Sequence, residues 1–232
     1  MTSKRKEDTL KLSDLISIHL DTHGKGYDKN NDASNELEVR FGTRGKKRIT
    51  RIDFDNVIKK LKSLGWSSDN ETGEYTLKIQ NEFVDPKTGV TKLSNIRTEI
   101  QTLDAIQKYC KSNDISGISS HLVNYQMKMF AKTKDDKTIY PIDNDSYNLR
   151  ISYQTETKLK ESSSMIRALL DNWSDSKKTF RYINRITFNK SGLPYKIDIS
   201  VVKSSNLDKR RRMISSYRVD ESGVFENSEQ YE

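Results

Sequence analysis

From residue 74 onward apolar residues recur at every second position, and this period of two governs most of the chain. Tyr75, Leu77, Ile79 and Phe83 alternate with Thr76, Lys78, Gln80 and Glu82. Successive side chains of a strand point to opposite faces, so this spacing predicts a strand with one apolar and one polar face. Asp85-Pro86-Lys87-Thr88-Gly89 then supplies turn chemistry. The same alternation predicts strands over 95–101, 123–132, 149–158, 180–188 and 195–203. Asn189-Lys190-Ser191-Gly192 joins the last two as a hairpin. An earlier stretch, Asn35-Glu36-Leu37-Glu38-Val39-Arg40-Phe41-Gly42, completes the set: Glu36, Glu38 and Arg40 share one face, Leu37, Val39 and Phe41 the other.

Helical spacing is confined to shorter segments. Leu10, Leu12, Leu15, Ile16, Ile18 and Leu20 form one apolar stripe, with Ser13-Asp14 as a start signal. Ile52, Phe54, Val57, Ile58, Leu61 and Leu64 form a second, stopped by Gly65. Short helices are expected around 103–110 and 164–173, and loops over 24–34, 112–120 and 221–230. Residues 1–8 read as a polar, frayed end, and 133–146 as a hairpin region carrying both charge signs. The segment 206–220, with Lys209-Arg210-Arg211-Arg212, fits strand and loop equally well.

Seven segments alternate, and most carry both signs of charge on the polar face: Glu36, Glu38 and Arg40; Lys78 and Glu82; Arg97 and Glu99; Lys128; Arg150 and Glu156; Arg181 and Arg185; Lys196 and Asp198. Two architectures satisfy this. The charged faces can meet solvent while the apolar faces pack on each other or on the helices. Alternatively the sheet closes with the charged faces inward, and helices 10–20 and 52–64 cover it from outside. Closure requires ligands, because burying many unpaired charges is prohibitive. Carboxylates would take a hard divalent cation, and Arg and Lys a polyphosphate. The two glutamates of the first strand lie roughly 7 Å apart along the backbone, close enough to lean onto one cation.

Composition narrows the partners. The chain has 232 residues, a length that suits one domain, with 32% charged and only 33% hydrophobic residues. Its formal charge of +8 is spread along the sequence, which suits a polyanionic partner. Cys110 is the only cysteine, so an intramolecular disulfide and a thiolate zinc cluster are excluded and a reducing, intracellular setting fits. No apolar run approaches the ~20 residues of a membrane span, and the first residues lack the apolar core of a signal peptide. His19 and His23 stand at i, i+4 but without a third ligand, and read as surface residues. The basic turn Arg44-Gly45-Lys46-Lys47-Arg48 reads either as an RNA phosphate contact or as a solvated loop.

Glu36-Leu37-Glu38-Val39-Arg40-Phe41 resembles the opening Glu-x-Glu strand of the triphosphate tunnel metalloenzymes, and more narrowly of the mimivirus-like RNA 5′-triphosphatase domains of large DNA virus mRNA capping enzymes. Asn95-Ile96-Arg97, Arg150-x-Ser152-x-x-x-Glu156, and Asn184-Arg185-x-Thr187-Phe188 followed by Lys196-Ile197-Asp198-Ile199-x-Val201-Val202-Lys203 support it in the same order. The similarity spans residues 33–232. It implies a mainly β (α+β) fold, a closed antiparallel eight-stranded β-barrel tunnel with a charged interior and helices packed outside. It also implies metal-dependent removal of the γ-phosphate from 5′-triphosphate RNA, the first step of mRNA cap formation.

Carried over by motif, Glu36 and Glu38 would ligate Mg²⁺ or Mn²⁺, joined by Glu232. Arg40, Arg97, Lys128, Arg150, Arg181 and Arg185 would hold the triphosphate, with Asp198 fixing the basic side chains. Glu156 would orient or deprotonate the attacking water, and Glu36, Glu38, Glu156, Arg97 and Arg185 would form the catalytic set. Two positions depart from the pattern. Ile183 stands where the family often has Lys, with Arg181 two residues back on the same face. Glu232 is the first of the alternating glutamates of a final metal-binding strand. The resemblance further implies that residues 1–232 form a single domain at the N-terminal part of a longer capping enzyme, with guanylyltransferase and methyltransferase domains as partners. It implies no membrane, and a location in the infected host cytoplasm or the virion. No Lys-x-Asp-Gly nucleotidyl-transfer motif occurs in these residues. Two competing functions follow from the same charges: a tunnel hydrolase of inorganic tripolyphosphate or nucleoside triphosphates, and a non-catalytic RNA-binding module.

Overall fold

The computed structural model describes residues 13, 14, 16, 17, 33–42, 48–133, 136–144 and 146–232. Ten strands are present among them: β1 (Ala33–Phe41), β2 (Glu74–Val84), β3 (Thr91–Leu93), β4 (Ile96–Gln101), β5 (Val123–Phe130), β6 (Ile142–Asn144), β7 (Leu149–Leu159), β8 (Lys178–Phe188), β9 (Ile197–Ser204) and β10 (Gln230–Tyr231). Three α-helices accompany them: α1 (Arg51–Ser63), α2 (Leu103–Ser112) and α3 (Ser164–Asp171). Every strand pairing is antiparallel. The fold is mainly β. Without β3 and β6, three residues each, eight strands remain. All seven strands expected from the period of two are present. β3 and β10 were not expected, being too short to show a period, while β6 falls within the hairpin region expected over 133–146.

Of the first expected helix, Ser13, Asp14, Ile16 and Ser17 are helical, and the rest lies outside the described residues, as do His19, His23, residues 1–8 and most of the basic turn 44–48. The helix expected over 52–64 is α1. Its start is fixed by a capping box: the Thr50 hydroxyl accepts from the Asp53 N–H at 3.2 Å, and the Asp53 carboxylate accepts from the Thr50 N–H at 3.0 Å. Such a cap contributes about 1 kcal/mol.

The chain divides into two compact units, one drawn from 1–47 and 129–157, the other from 48–128 and 158–232. In the first, β1 pairs along its whole length with β7, from Ala33↔Thr157 to Phe41↔Leu149, and β6 pairs with the start of β7. Its apolar face gathers Ala131, Ile139, Ile151 and Tyr153, with Leu37, Ile142 and Leu149 packed against them.

In the second unit the strand order is β5-β4-β2-β8-β9-β10, with β3 off β2. The apolar face of β2, β4 and β8, carrying Leu77, Ile79, Ile100 and Phe180, packs against Ile106 and Tyr109 of α2 and Ile166 of α3. Further along the same face, Phe188 and Ile199 pack under Phe54 and Leu61 of α1, with Trp66 beside them. The helices therefore cover the apolar side of the sheet, as the alternation requires, and the charged residues stand on the other side. Gly73 opens β2 with φ +80°, and a Cβ there would collide with the Asn184 side chain of β8. The turn therefore needs glycine for its backbone angle and for its close approach.

Lys178, the first residue of β8, is 1% exposed. Its Nζ donates to the Ser176 carbonyl at 2.7 Å and lies 5.2 Å from the Trp173 ring centroid. Burial pushes its pKa down to about 8, from 10.5 for a free lysine. Between these values the unfolded chain binds the proton that the folded chain has released, so stability rises with pH. Urea denaturation from pH 8 to about 9.5, below the range where unfolded tyrosines ionise, is expected to show this rise. Lys178→Met should remove the rise without lowering stability at pH 7.

Candidate active site

The charged face of the second unit is built across four strands. Register places Arg181 of β8 opposite Lys78 of β2, Lys78 opposite Glu99 of β4, and Glu99 opposite Asn124 of β5. Cross-strand neighbours share a face, and like charges directly opposite repel. Each cation of the Arg181/Lys78 pair accordingly has its own carboxylate. Lys78 Nζ lies 2.6 Å from Glu99 Oε1, and Arg181 Nη2 lies 2.8 Å from Glu232 Oε1. The Lys78 and Glu99 side chains retain 20% and 15% exposure. Burial pulls the Lys78 ammonium below the ordinary lysine range, Glu99 opposes the shift, and Arg185 and Arg97 add to it. Lys78 therefore sits in a cationic field to which Arg97 and Arg185 both contribute.

Arg185, two pleats along β8 from Arg181, is held from β9. Its Nη1 lies 3.2 Å from Asp198 Oδ2 and its Nε donates to Ser200 Oγ at 3.2 Å. Thr187 donates to the other Asp198 oxygen at 2.7 Å. Asp198 thus bridges two side chains of β8 and fixes the plane of the Arg185 guanidinium. Glu232 is tied to β9 by backbone bonds in both directions with Ser200, at 2.8 and 2.9 Å. Between the two arginines, on the same face, Ile183 is 3% exposed and pairs with the fully buried Val202. Ile183 is therefore an apolar contact on the charged face, and Arg181 beside it is engaged with Glu232. On β4, Arg97 is in register with Gln126 of β5. Lys128, on the same face of β5 two residues on, donates its N–H to the carbonyl of Asn95, just before β4, at 3.2 Å.

In the first unit, β1 and β7 set Glu36 opposite Gln154, Glu38 opposite Ser152, Arg40 opposite Arg150 and Ser34 opposite Glu156. Glu38 Oε1 lies 3.0 Å from Arg40 Nε. Arg150 makes a two-pronged contact with Asp143 of β6, Nε to Oδ1 at 2.6 Å and Nη2 to Oδ2 at 2.7 Å. Asp143 partners a predicted phosphate-binding arginine without having been singled out in the sequence. Its strand is too short to alternate, so no periodic signal pointed to it. Lys78 and Glu99 were visible as charged-face residues, but their mutual pairing depends on register. Glu36 and Glu38 are hard oxygen donors on one strand face, a donor set suited to Mg²⁺ or Mn²⁺. Among the described residues, no group of three or more His, Cys, Asp or Glu side chains is gathered around one metal position.

The sequence matches no protein-family model, and no curated protein matches it. A structural likeness does emerge. The solved Mimivirus capping enzyme triphosphatase matches 96% of this chain, over 87% of its own length, with a TM-score of 0.51 and 14% sequence identity. This chain shares the fold of that triphosphatase. At that identity the likeness rests on the arrangement of strands and helices rather than on retained residues. The capping-triphosphatase fold therefore holds here with Ile183 and Val202 forming an apolar patch on the charged face, between Arg181 and Arg185.

Removing the carboxylate from the Lys78–Glu99 pair leaves a largely buried ammonium facing Arg181. Glu99→Gln is expected to lower stability by roughly 2 kcal/mol, below the range for fully buried pairs because some exposure remains. A Lys78→Met/Glu99→Leu double variant should regain most of the loss. Urea denaturation at pH 7 measures both, and a Glu99→Gln variant as stable as the parent would contradict the pairing.

Proposed function

We propose that this chain is a metal-dependent polynucleotide 5′-phosphatase that removes the γ-phosphate from 5′-triphosphate RNA, the first step of mRNA capping. The observation that carries the reading is the shared fold with a capping enzyme triphosphatase. The opposed rows of cations and carboxylates on the charged strand faces support it, because phosphoryl transfer needs positioned charge more than covalent chemistry.

In this reading Arg97, Lys128, Arg181 and Arg185 bind the triphosphate, with Arg40 and Arg150 supplying further cations. Asp198 is a positioning residue, holding Arg185 through the contact described above. Glu156 orients the attacking water or takes its proton. Glu36 and Glu38 would hold Mg²⁺ or Mn²⁺, and Glu232 is a carboxylate that this reading also assigns to metal. A bound divalent cation neutralises the phosphate oxygens and stabilises the charge that develops on them. The Arg181–Glu232 and Glu38–Arg40 pairs keep these groups neutralised. Substrate binding then exchanges internal pairs for phosphate contacts rather than desolvating isolated charges. The RNA end is the substrate, and other capping domains of a longer viral enzyme, in the infected cell or virion, are the partners this reading assigns.

Phosphate release from 5′-triphosphate RNA is expected with Mg²⁺ or Mn²⁺ and lost on chelation. Glu36→Ala should lower kcat by about a hundredfold or more, and full activity in that variant would sink the assignment. Arg185→Lys, which cannot reproduce the two-sided guanidinium contact, should cost about tenfold. Faster turnover of inorganic tripolyphosphate than of RNA would favour the tripolyphosphatase alternative, and salt-sensitive RNA binding without turnover the binding module.

Metal binding has its own readout in stability. The carboxylates of Glu36 and Glu38 lie on one face of one strand. Their mutual repulsion is relieved by a cation, so millimolar Mg²⁺ or Mn²⁺ should raise Tm. A Glu36→Gln/Glu38→Gln variant is expected to lose that metal-induced shift.

A further inference from the structure

The basic run Lys209-Arg210-Arg211-Arg212 has no part in the proposed reaction. Its segment, which fitted strand and loop equally from sequence, is a built turn. Leu207 and Met213 form a β-bridge, and Asp208 and Arg212 close the turn through an Asp208 N–H to Arg212 carbonyl bond of 2.8 Å. The Asp208 carboxylate sits inside the turn and accepts from the Arg210 and Arg212 N–H groups at 2.8 and 2.9 Å. Arg211 takes a left-handed backbone angle, φ +61°, at the tip. The returning arm is fastened to the sheet by paired backbone bonds between Ser216 and Lys178, at 2.7 and 2.9 Å. This is a fixed hairpin rather than a loose basic tail.

Three of its four cations are uncompensated among the described residues. Lys209, Arg210, Arg211 and Arg212 are all exposed. Asp208 pairs with Arg212 at 2.8 Å, and among the described residues no carboxylate pairs with Lys209, Arg210 or Arg211. Leu207, Ile214 and Tyr217 expose 45%, 48% and 49% of their surface along the stem. At the base Lys177 Nζ lies 5.5 Å from the Tyr217 ring centroid. Cations at the tip, an aliphatic stem and an aromatic ring beside a further lysine lie together along one segment. That combination suits single-stranded nucleic acid, whose phosphates take the cations and whose bases stack on aromatic rings.

We infer that the 207–217 hairpin docks the phosphodiester backbone of single-stranded RNA downstream of the 5′ end, apart from the groups that handle the triphosphate. The choice of RNA over DNA rests on the proposed function; the choice of a phosphodiester chain rests on the hairpin. A turn already held by its own hydrogen bonds lowers the ordering cost of each contact. The free-standing charges make binding strongly salt-dependent, with log K falling by about 0.7 per phosphate contact for each tenfold rise in salt.

The test uses the full chain and 5′-hydroxyl oligonucleotides of one sequence, as RNA and as DNA, so that no triphosphate contributes. Fluorescence anisotropy across a salt series is expected to show RNA binding at least as tightly as DNA. A Lys209→Gln/Arg210→Gln/Arg211→Gln variant should weaken RNA binding about tenfold or more at ~100 mM salt and flatten the log K against log salt slope by about two. The same variant should melt at the parental temperature. Unchanged RNA affinity in the triple variant, no binding of 5′-hydroxyl RNA by the parent, or a clear preference for DNA would each overturn the inference. Loss of RNA binding in the variant would uphold it even if the parent released no phosphate from triphosphate RNA, so the two readings fail separately.

Discussion

Charge pairing across adjacent strands is the constraint on which the rest of this structure depends. The helices α1, α2 and α3 need apolar sheet surface, and β2, β4, β8 and β9 supply it through alternate residues such as Leu77, Ile100, Phe180 and Ile199. The pleat then forces the intervening residues onto the other face together. Because those residues are Lys78, Arg97, Glu99, Arg181, Arg185 and Asp198, the register must bring a carboxylate within reach of the cations it sets side by side, as Glu99 and Glu232 are for Lys78 and Arg181. A slip of one residue would drive Lys78 into the helices and Leu77 among the charges. Hydrophobic burial and charge neutralisation thus select one register for different reasons.

The same pairing gives the charged face its chemical character. Pairs such as Lys78–Glu99, Arg181–Glu232 and Arg185–Asp198 hold guanidinium and ammonium groups in set places without isolating any charge. On the proposed function, a polyphosphate would meet donors already oriented on this face. Ile183 and Val202 form a dry interval between Arg181 and Arg185. They separate the arginine held by Glu232 from the one held by Asp198, so the two cations have different local anchors.

Lys178 and the 207–217 hairpin show a different use of positive charge. Lys178 is enclosed among Trp173 and backbone carbonyls, where burial acts against its charge. A few residues away in space, Ser216 returns the hairpin to the backbone of Lys178, while the hairpin tip keeps its cations in water. Asp208 sets the shape of that turn by accepting its amides, and only Arg212 among the four basic residues draws on its charge.

Much of the secondary structure was legible before folding, because a period of two maintained over six or more residues reports a half-buried strand directly. The seven alternating segments and the placement of Glu36, Glu38, Arg97 and Arg185 on polar faces follow from local spacing. β3 and β10 did not, since two or three residues carry no period and exist as strands only because a neighbour offers hydrogen bonds. Partnership was likewise beyond local reading. That Asp143 clasps Arg150, that Glu232 meets Arg181, and that Lys78 faces both Glu99 and Arg181 depends on register between segments tens of residues apart. Alternation determined which side chains share a face; long-range strand pairing decided which of them touch, because cross-strand contacts are fixed by hydrogen bonds that no local pattern encodes.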